Sequence, residues 1–455
     1  MLLASLCQEH LMTGKTKKTY HILTYGCQMN ERDSETIAGL LEAAGYEGAS
    51  GPDDADVVVF NTCSVRHSAE NKVFGKLGEI RLLKTKKPGM VIAFGGCMAQ
   101  LPEVRKRLKK NSVDIVFGTH NIHRLPELLA RREAEAAMVT EVWDKAVEVV
   151  EGVPSRRTGG LSAFVNIMFG CNNFCSYCIV PYTRGRERSR NPQEVVKEVR
   201  ELVALGAKEV TLLGQNVNSY GRGLEEKADF ADLLTMINDI EGLWRIRFTT
   251  SHPRDVSDKL IQTIADLDKV CEHVHTPLQS GSNKILKLMN RGYSREDYFN
   301  LADRIRSGIP GVAITSDIIV GFPGEEEEDY LDTLDAIERV RFDAAFTFMY
   351  SKRTGTRACD MEGHVPLEIK RNRLIKLNQI QYAMALEENL RFENRTEEVL
   401  VEGKSKTNPD RLTGRTRTNR IVVFDGPAEL IGQLTRVVVT EAKTFTLFGQ
   451  LAGIE

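Results

Sequence analysis

Short apolar runs of strand length alternate with stretches of helical spacing over most of this chain, and that alternation limits its folds more than any other feature. Such βα units pair into parallel sheets. Across residues 20–129 three of them share a further detail. HILTYGCQMN, VVVFNTCSVR and VIAFGGCMAQ each run from an apolar strand through a small or polar residue to a Cys, then into a helix-like segment such as SETIAGLLEAAG. In an open parallel sheet the loops after the strands share one carboxyl edge, where ligands bind. Cys27, Cys63 and Cys97 are therefore expected to converge in space although they are far apart in sequence. The plain alternative, that each is an ordinary buried Cys, accounts for one such position more readily than for three in matching loops.

A polar, Pro/Gly-containing stretch ending in EGVPSRRTGG reads as a linker. A second α/β series follows, with candidate strands LSAFVNIMF, EVTLLGQN, WRIRFTTS, EHVHTPL, VAITSDIIVGF and AAFTFMYS, which suggest a full or partial βα barrel. Residues 366–392 carry apolar side chains at helical spacing and read as a long connecting helix. Beyond them, EEVLVEGK, RLTGRTRT, RIVVFDG, LIGQLTRVVVTEAK and FTLFGQL are short β-rich runs broken by Gly, the pattern of a small closed barrel. The expected fold class is α/β: a parallel α/β domain over 18–135, a linker over 136–160, a βα barrel over 161–388 and a small all-β barrel over 389–455.

A chain of 455 residues is too long for one ordinary core, which agrees with several domains. Apolar residues at 42% and charged residues at 27% exclude a largely disordered protein. The net charge of −2 provides no overall attraction to nucleic acid, so any such binding must come from local basic patches. Nine cysteines, an odd number, argue against a secreted disulfide framework and for a reducing cytoplasm. The start, MLLASLCQEHLMTG, lacks the basic region of a signal peptide, and no run has the length of a membrane span.

The stretch FGCNNFCSYCIVPY sets Cys171, Cys175 and Cys178 in a C-x3-C-x2-C spacing just after the first strand of the second series. Zinc ribbons and ferredoxin sites take four protein ligands, and no local fourth follows. The pattern points to an iron–sulfur cluster with one iron left open. A structural zinc completed by His252, His273 or His275 is the rival account.

With these residues in view the chain resembles the radical S-adenosylmethionine superfamily. The resemblance implies that the three thiolates hold a 4Fe-4S cluster whose open iron takes S-adenosylmethionine, which is cleaved to a 5′-deoxyadenosyl radical. It places Tyr177 near the adenine. It also implies cofactor contacts from Gln215 and Asn216 in GQN, where the superfamily often has a Gly-Gly-acidic turn and this chain has Gln215, and from Gln279 in HTPLQSGS. SDIIVGFPGE falls at another strand end, the active-site side of a barrel. No acid–base catalyst is assigned.

The three-part organisation resembles the methylthiotransferase family over nearly the whole chain. That resemblance implies a second 4Fe-4S cluster on Cys27, Cys63 and Cys97, and a TRAM domain, an RNA-binding module, at the end. NTCSVRHSAENK and VPYTRGRERSR resemble most the branch called MiaB. It methylthiolates N6-isopentenyladenosine at position 37 of tRNA, with one S-adenosylmethionine as methyl donor and another as radical source. Alternatives are methylthiolation of threonylcarbamoyl-adenosine or of a ribosomal protein, and a non-catalytic RNA-binding protein with structural zinc. The implied partners are a tRNA anticodon stem-loop carrying isopentenyladenosine and an electron donor such as flavodoxin or ferredoxin, with no membrane.

Two basic stretches are candidate RNA contacts. GKSKTNPDRLTGRTRTNR carries Lys404, Lys406, Arg411, Arg415, Arg417 and Arg420 against Asp410 alone, and Arg184, Arg186, Arg188 and Arg190 follow the three-cysteine motif. A solvated loop, or pairing with acids such as Glu187, would explain them more simply. Cys7, Cys271 and Cys359 fall outside both triads and read as incidental thiols.

Overall fold

The computed structural model describes residues 17–453 apart from 65, 66, 136, 146–148, 158 and 226, and apart from the side chains of 67–69. The opening segment with Cys7, and Val65 and Arg66 of NTCSVRHSAENK, lie outside the described residues. The chain divides into two compact units, one ending at Arg157 and the other beginning at the next residue. No described helix is long and apolar enough to cross a membrane.

The first unit is a parallel sheet of β1 (Thr19–Thr24), β2 (Glu47–Gly48), β3 (Val57–Thr62), β4 (Val91–Gly96), β5 (Ile115–Phe117) and β6 (Val139–Glu141), in the order β2-β1-β3-β4-β5-β6. The apolar run VVVFNT becomes a strand buried on both faces, because successive side chains point to opposite sides. Val58 and Phe60 pack with Val73, Leu77 and Ile80 of the helix His67–Lys86. Val57 and Val59 pack on the other side with Ile37 and Leu41 of the helix Gln28–Ala43.

The stretch expected to be a linker is partly built into this unit. Residues 139–141 form the edge strand β6, and residues 155–157 lie along the helix Gln28–Ala43. There Arg156 N donates to Glu35 O at 2.8 Å and Arg157 pairs with Glu35 at 2.6 Å. Gly39 lets the two segments approach, since a Cβ on it would fall 2.4 Å from Ser155 Cα.

In the second unit all six anticipated strands of the βα series are present. They are β7 (Ser162–Asn166), β10 (Glu209–Leu213), β11 (Arg245–Phe248), β12 (His273–His275), β13 (Ala313–Val320) and β14 (Ala344–Met349). The run LSAFVNIMF breaks at Ile167, and its end forms β8 (Met168–Phe169), paired antiparallel with β9 (Arg188–Ser189). Two parallel three-stranded sheets, β11-β10-β7 and β12-β13-β14, are joined by a parallel bridge between Ile246 and Val270, giving an incomplete barrel. Val210, Leu212, Ile246, Phe248, Ile314 and Ile318 belong to the main core under the helices. Alternation then turns Glu209, Thr211, Arg245, Arg247, Thr315, Asp317 and Phe346 to the inside.

The helix Leu367–Leu390 leads to β15 (Thr396–Lys404), β16 (Leu412–Thr416), β17 (Ile421–Asp425), β18 (Leu434–Ala442) and β19 (Leu447–Leu451), which close as β15-β16-β17-β19-β18. A polar seam joins this small barrel to the large one. Arg245 donates to Arg415 O at 2.6 Å and to Glu398 Oε1 at 2.9 Å. Arg247 donates to Arg417 O and Thr416 O at 3.0 and 2.8 Å while pairing with Glu209 at 2.7 Å.

Candidate functional site

The loop carrying Cys171, Cys175 and Cys178 leaves β8 and is held from several sides. Gly170, at φ +78°, lies so close to the returning chain that a Cβ would sit 2.0 Å from Arg186 O. Cys171 N donates to Gly185 O at 3.1 Å, and Cys178 N donates to Cys175 O at 2.9 Å. Ser176 bonds the end of the helix Asn283–Leu288, donating from N to Met289 O at 3.0 Å and from Oγ to Leu288 O at 2.8 Å. Asn290 Nδ2 reaches the carbonyls of Asn173 and Phe174, both at 3.1 Å.

Burial pushes the Cys171 thiol up to about 11 and the Cys178 thiol up to about 12, in each case with the Cys175 charge adding to the effect. The bare protein thus disfavours thiolates, and a bound cationic centre would reverse that preference. One buried cation faces the triad. Arg291 extends Nη1 to Cys175 Sγ at 3.3 Å, Nη2 to Pro277 O at 2.8 Å and Nε to Tyr293 Oη at 2.9 Å. Neither Arg291 nor Tyr293 is marked in the sequence, because NRGYS has no pattern that announces a partner 116 residues away.

Successive strand ends form a rim beside this loop. Asn166 Oδ1 at the end of β7, both amide atoms of Asn218 after β10, Ser251 Oγ and His252 Nε2 after β11, and Gln279 Oε1 after β12 are all buried without a hydrogen-bond partner among the described residues. An unsatisfied buried polar atom costs about 1–3 kcal/mol, so this row is suited to a polar ligand. Burial, with Arg291 next, pushes His252 down to about 3 and keeps it neutral. Thr250 and Gln279 hold positive φ of 68° and 72° on the same rim, a strained conformation for a β-branched residue above all.

The other expected cofactor residues are placed differently from one another. Tyr177 packs edge-on against Phe322, ring centroids 6.4 Å apart, beneath Arg291. Gln215 is half-buried on the rim. Asn216 is fully engaged within the protein, donating to Asp255 Oδ2 at 2.7 Å and accepting from His252 N at 3.0 Å, so it positions the 252–255 loop. Of the histidines that a zinc site would use, His273 and His275 both bond Thr315 Oγ1 at 3.0 Å. Among the described residues no three His, Cys, Asp or Glu side chains gather tightly enough to chelate one ion.

In the first unit Cys63 and Cys97 directly follow β3 and β4, and Cys27 caps the helix after β1. These three strands are neighbours in the sheet, and parallel pairing puts their ends side by side. A Cβ on Gly26 would lie 2.6 Å from Cys63 Cβ, and one on Gly96 would lie 2.3 Å from Thr62 O. Buried Asn30 links the loops by donating to Asn61 Oδ1 and Thr62 O, both at 3.1 Å, and Cys27 Sγ donates to Asn30 Oδ1 at 3.4 Å. Three thiols on three adjacent strand ends form a donor set suited to a second iron–sulfur cluster.

The basic run of the small barrel is not one free patch. Arg417 is forked onto Glu272 and reaches Val270 O at 2.7 Å; Arg420 pairs with Asp343; Arg411 and Arg415 pair with Asp425 and Glu402, each at 3.0 Å. Charge alone could not show this, because Glu272 and Asp343 lie far away in sequence, in the large barrel. Lys404 and Lys406 are exposed. In the other stretch Arg184 is buried, Arg190 pairs with Glu198 at 2.5 Å, and Arg186 is exposed.

Family models match the chain in three places. Residues 165–337 match the radical SAM superfamily, residues 390–452 the TRAM domain, and residues 19–118 a family described as uncharacterized protein family UPF0004. Solved radical enzymes share the fold. The methyltransferase TsrM from Kitasatospora setae aligns over 73% of both chains with a TM-score of 0.53 at 16% identity. The cobalamin-dependent enzyme OxsB aligns over 83% of this chain and 58% of its own with a TM-score of 0.53 at 14% identity. Fold and site together define a radical S-adenosylmethionine enzyme. Among curated relatives, the tRNA-2-methylthio-N(6)-dimethylallyladenosine synthase of Syntrophomonas wolfei is 65% identical over 442 residues, covering 97% of this chain and 99% of that protein. The protein of the same name from Carboxydothermus hydrogenoformans is 54% identical over 96% of this chain and 99% of its own. The chain belongs to the methylthiotransferase family of radical S-adenosylmethionine enzymes.

Proposed function

We propose that this protein converts N6-isopentenyladenosine at position 37 of tRNA to its 2-methylthio derivative. The near end-to-end match to relatives named for that product carries the reading. When bound, a 4Fe-4S cluster on Cys171, Cys175 and Cys178 with S-adenosylmethionine, and a second cluster on Cys27, Cys63 and Cys97, supply the radical and sulfur chemistry that an unactivated C2–H bond requires.

The chain's own residues bind, orient and exclude water. Arg291 holds its charge against Cys175 and ties the triad loop to the carbonyl of Pro277. The unpaired atoms of Asn218, Ser251, His252 and Gln279 are the groups available to the polar parts of the cofactor. Tyr177, on its Phe322 support, offers an apolar ring for an adenine. Gln215 stands on the same rim, while Asn216 acts through the loop it holds. Arg186, Lys404 and Lys406 are the exposed cations left for tRNA phosphates, and their contribution falls with salt. A cytoplasmic setting and a flavodoxin- or ferredoxin-type electron donor fit this chemistry.

The test is mass spectrometry of nucleosides after anaerobic incubation of the reconstituted protein with tRNA carrying either modified adenosine. A methylthio mass gain on isopentenyladenosine alone is expected. A gain on threonylcarbamoyl-adenosine instead would overturn the substrate assignment.

A further inference from the structure

The rim of the triad loop carries an aromatic cluster that the functions assigned above leave unused. Tyr182, on the short helix Val180–Thr183, is 52% exposed. Its ring meets Phe174 edge-on, centroids 6.0 Å apart and planes at 86°. Over the Phe174 ring lies the Arg186 guanidinium, 4.3 Å from the centroid. Arg186 is exposed and has no ion-pair partner among the described residues, so no carboxylate competes for it. Nothing in the core accounts for a large exposed ring beside a stacked cation.

The cluster is also rigid. Phe174 holds a positive φ of 46°, and its carbonyl is fixed by Asn290 at 3.1 Å. The backbone at Arg186 is pressed against Gly170. Asn172 N and Glu187 Oε1 join the two sides of the loop at 3.1 Å. Fixed aromatic faces beside an unpaired arginine are how proteins hold unstacked bases of single-stranded RNA, the ring taking the base and the cation adding a planar partner.

We propose that Phe174, Tyr182 and Arg186 form a stacking platform for the nucleobase next to the target adenosine in the anticodon loop. The platform rests on the tRNA reading above and adds a base contact to what that reading treats as phosphate binding. Phe174 precedes Cys175 directly, so a base stacked there stands at the mouth of the triad site while its neighbour enters.

The experiment uses full-length reconstituted protein and anticodon stem-loop RNAs carrying isopentenyladenosine, with 2-aminopurine placed immediately 5′ or 3′ of it. For one of the two RNAs, 2-aminopurine fluorescence should fall on binding. Tyr182→Leu should abolish that change and weaken binding about tenfold, with iron content unaltered, and Tyr182→Phe should retain both. Arg186→Met, which keeps bulk but removes the planar cation, should reduce the change and provides a second variant if Tyr182→Leu loses iron. Wild-type binding with no fluorescence change at either position, or an unchanged signal in both Tyr182→Leu and Arg186→Met, would overturn the platform and leave the tRNA reading intact. Failure of the wild type to bind either RNA would overturn both.

Discussion

Arg291 places a full positive charge in the interior of the radical domain, and the charge is held there by a thiol, a phenol and a carbonyl. Arginine suits this post because its planar fork serves three acceptors at fixed angles, whereas lysine offers one compact charge. Arg291→Lys should therefore lose part of this three-way fork, although Tyr293 Oη still reaches Pro277 O and Leu278 O at 3.1 and 2.9 Å, and lower stability by about 1–3 kcal/mol, read from denaturant midpoints, with less iron retained after desalting. An unchanged midpoint and full iron retention would show that the fork is dispensable. The six triad cysteines stand out in the sequence because residue type and spacing mark them, and their proposed role as cluster ligands rests on that pattern together with the three adjacent strand ends of the first unit. Arg291, Asn30 and the unpaired atoms of Asn218 and Ser251 do not stand out, since their roles arise only when distant strand ends meet. The TRAM arginines show the same limit: the sequence displays their charge but not the pairing of Arg417 with Glu272 and of Arg420 with Asp343.

At the scale of elements, the βα grammar was readable because fully buried parallel strands are continuous apolar runs, as β3 and β4 are. The strands β2, β5 and β6 are too short to announce themselves, at two, three and three residues. Residues 155–157 read as linker because their partners are a glycine and the backbone and polar side chains of a helix, none of which gives a hydrophobic signal. Gly39 makes that contact checkable. Alanine in a helix is ordinarily favoured over glycine by about 1 kcal/mol, but at Gly39 the added methyl would meet the backbone of Ser155. Gly39→Ala should instead destabilise the first unit by about 1–3 kcal/mol and open residues 155–157 to limited proteolysis. A gain in stability with unchanged cleavage would show that the segment does not lie on the helix.

At the scale of the whole molecule, the radical domain and the TRAM domain share one compact unit through a seam of arginines and carbonyls. Arg417 and Glu272 are its most direct pair, forked at 2.8 and 2.7 Å. Removing either partner strands the other, so Arg417→Ala and Glu272→Ala should each lower the midpoint of the second unit. The double variant should cost less than the sum of the two. RNA affinity should change little in either. The reverse outcome, a uniform loss of RNA affinity with unaltered stability, would place Arg417 on the RNA face.

Two separate three-thiol sites with divided duties are the central claim. The most direct measurement compares Cys175→Ala with Cys63→Ala in reconstituted protein, following 5′-deoxyadenosine and methylthiolated nucleoside in the same reaction. Cys175→Ala should yield neither product, and Cys63→Ala should yield deoxyadenosine without methylthiolation. Methylthiolation persisting in both variants, or deoxyadenosine formation surviving in Cys175→Ala, would contradict it.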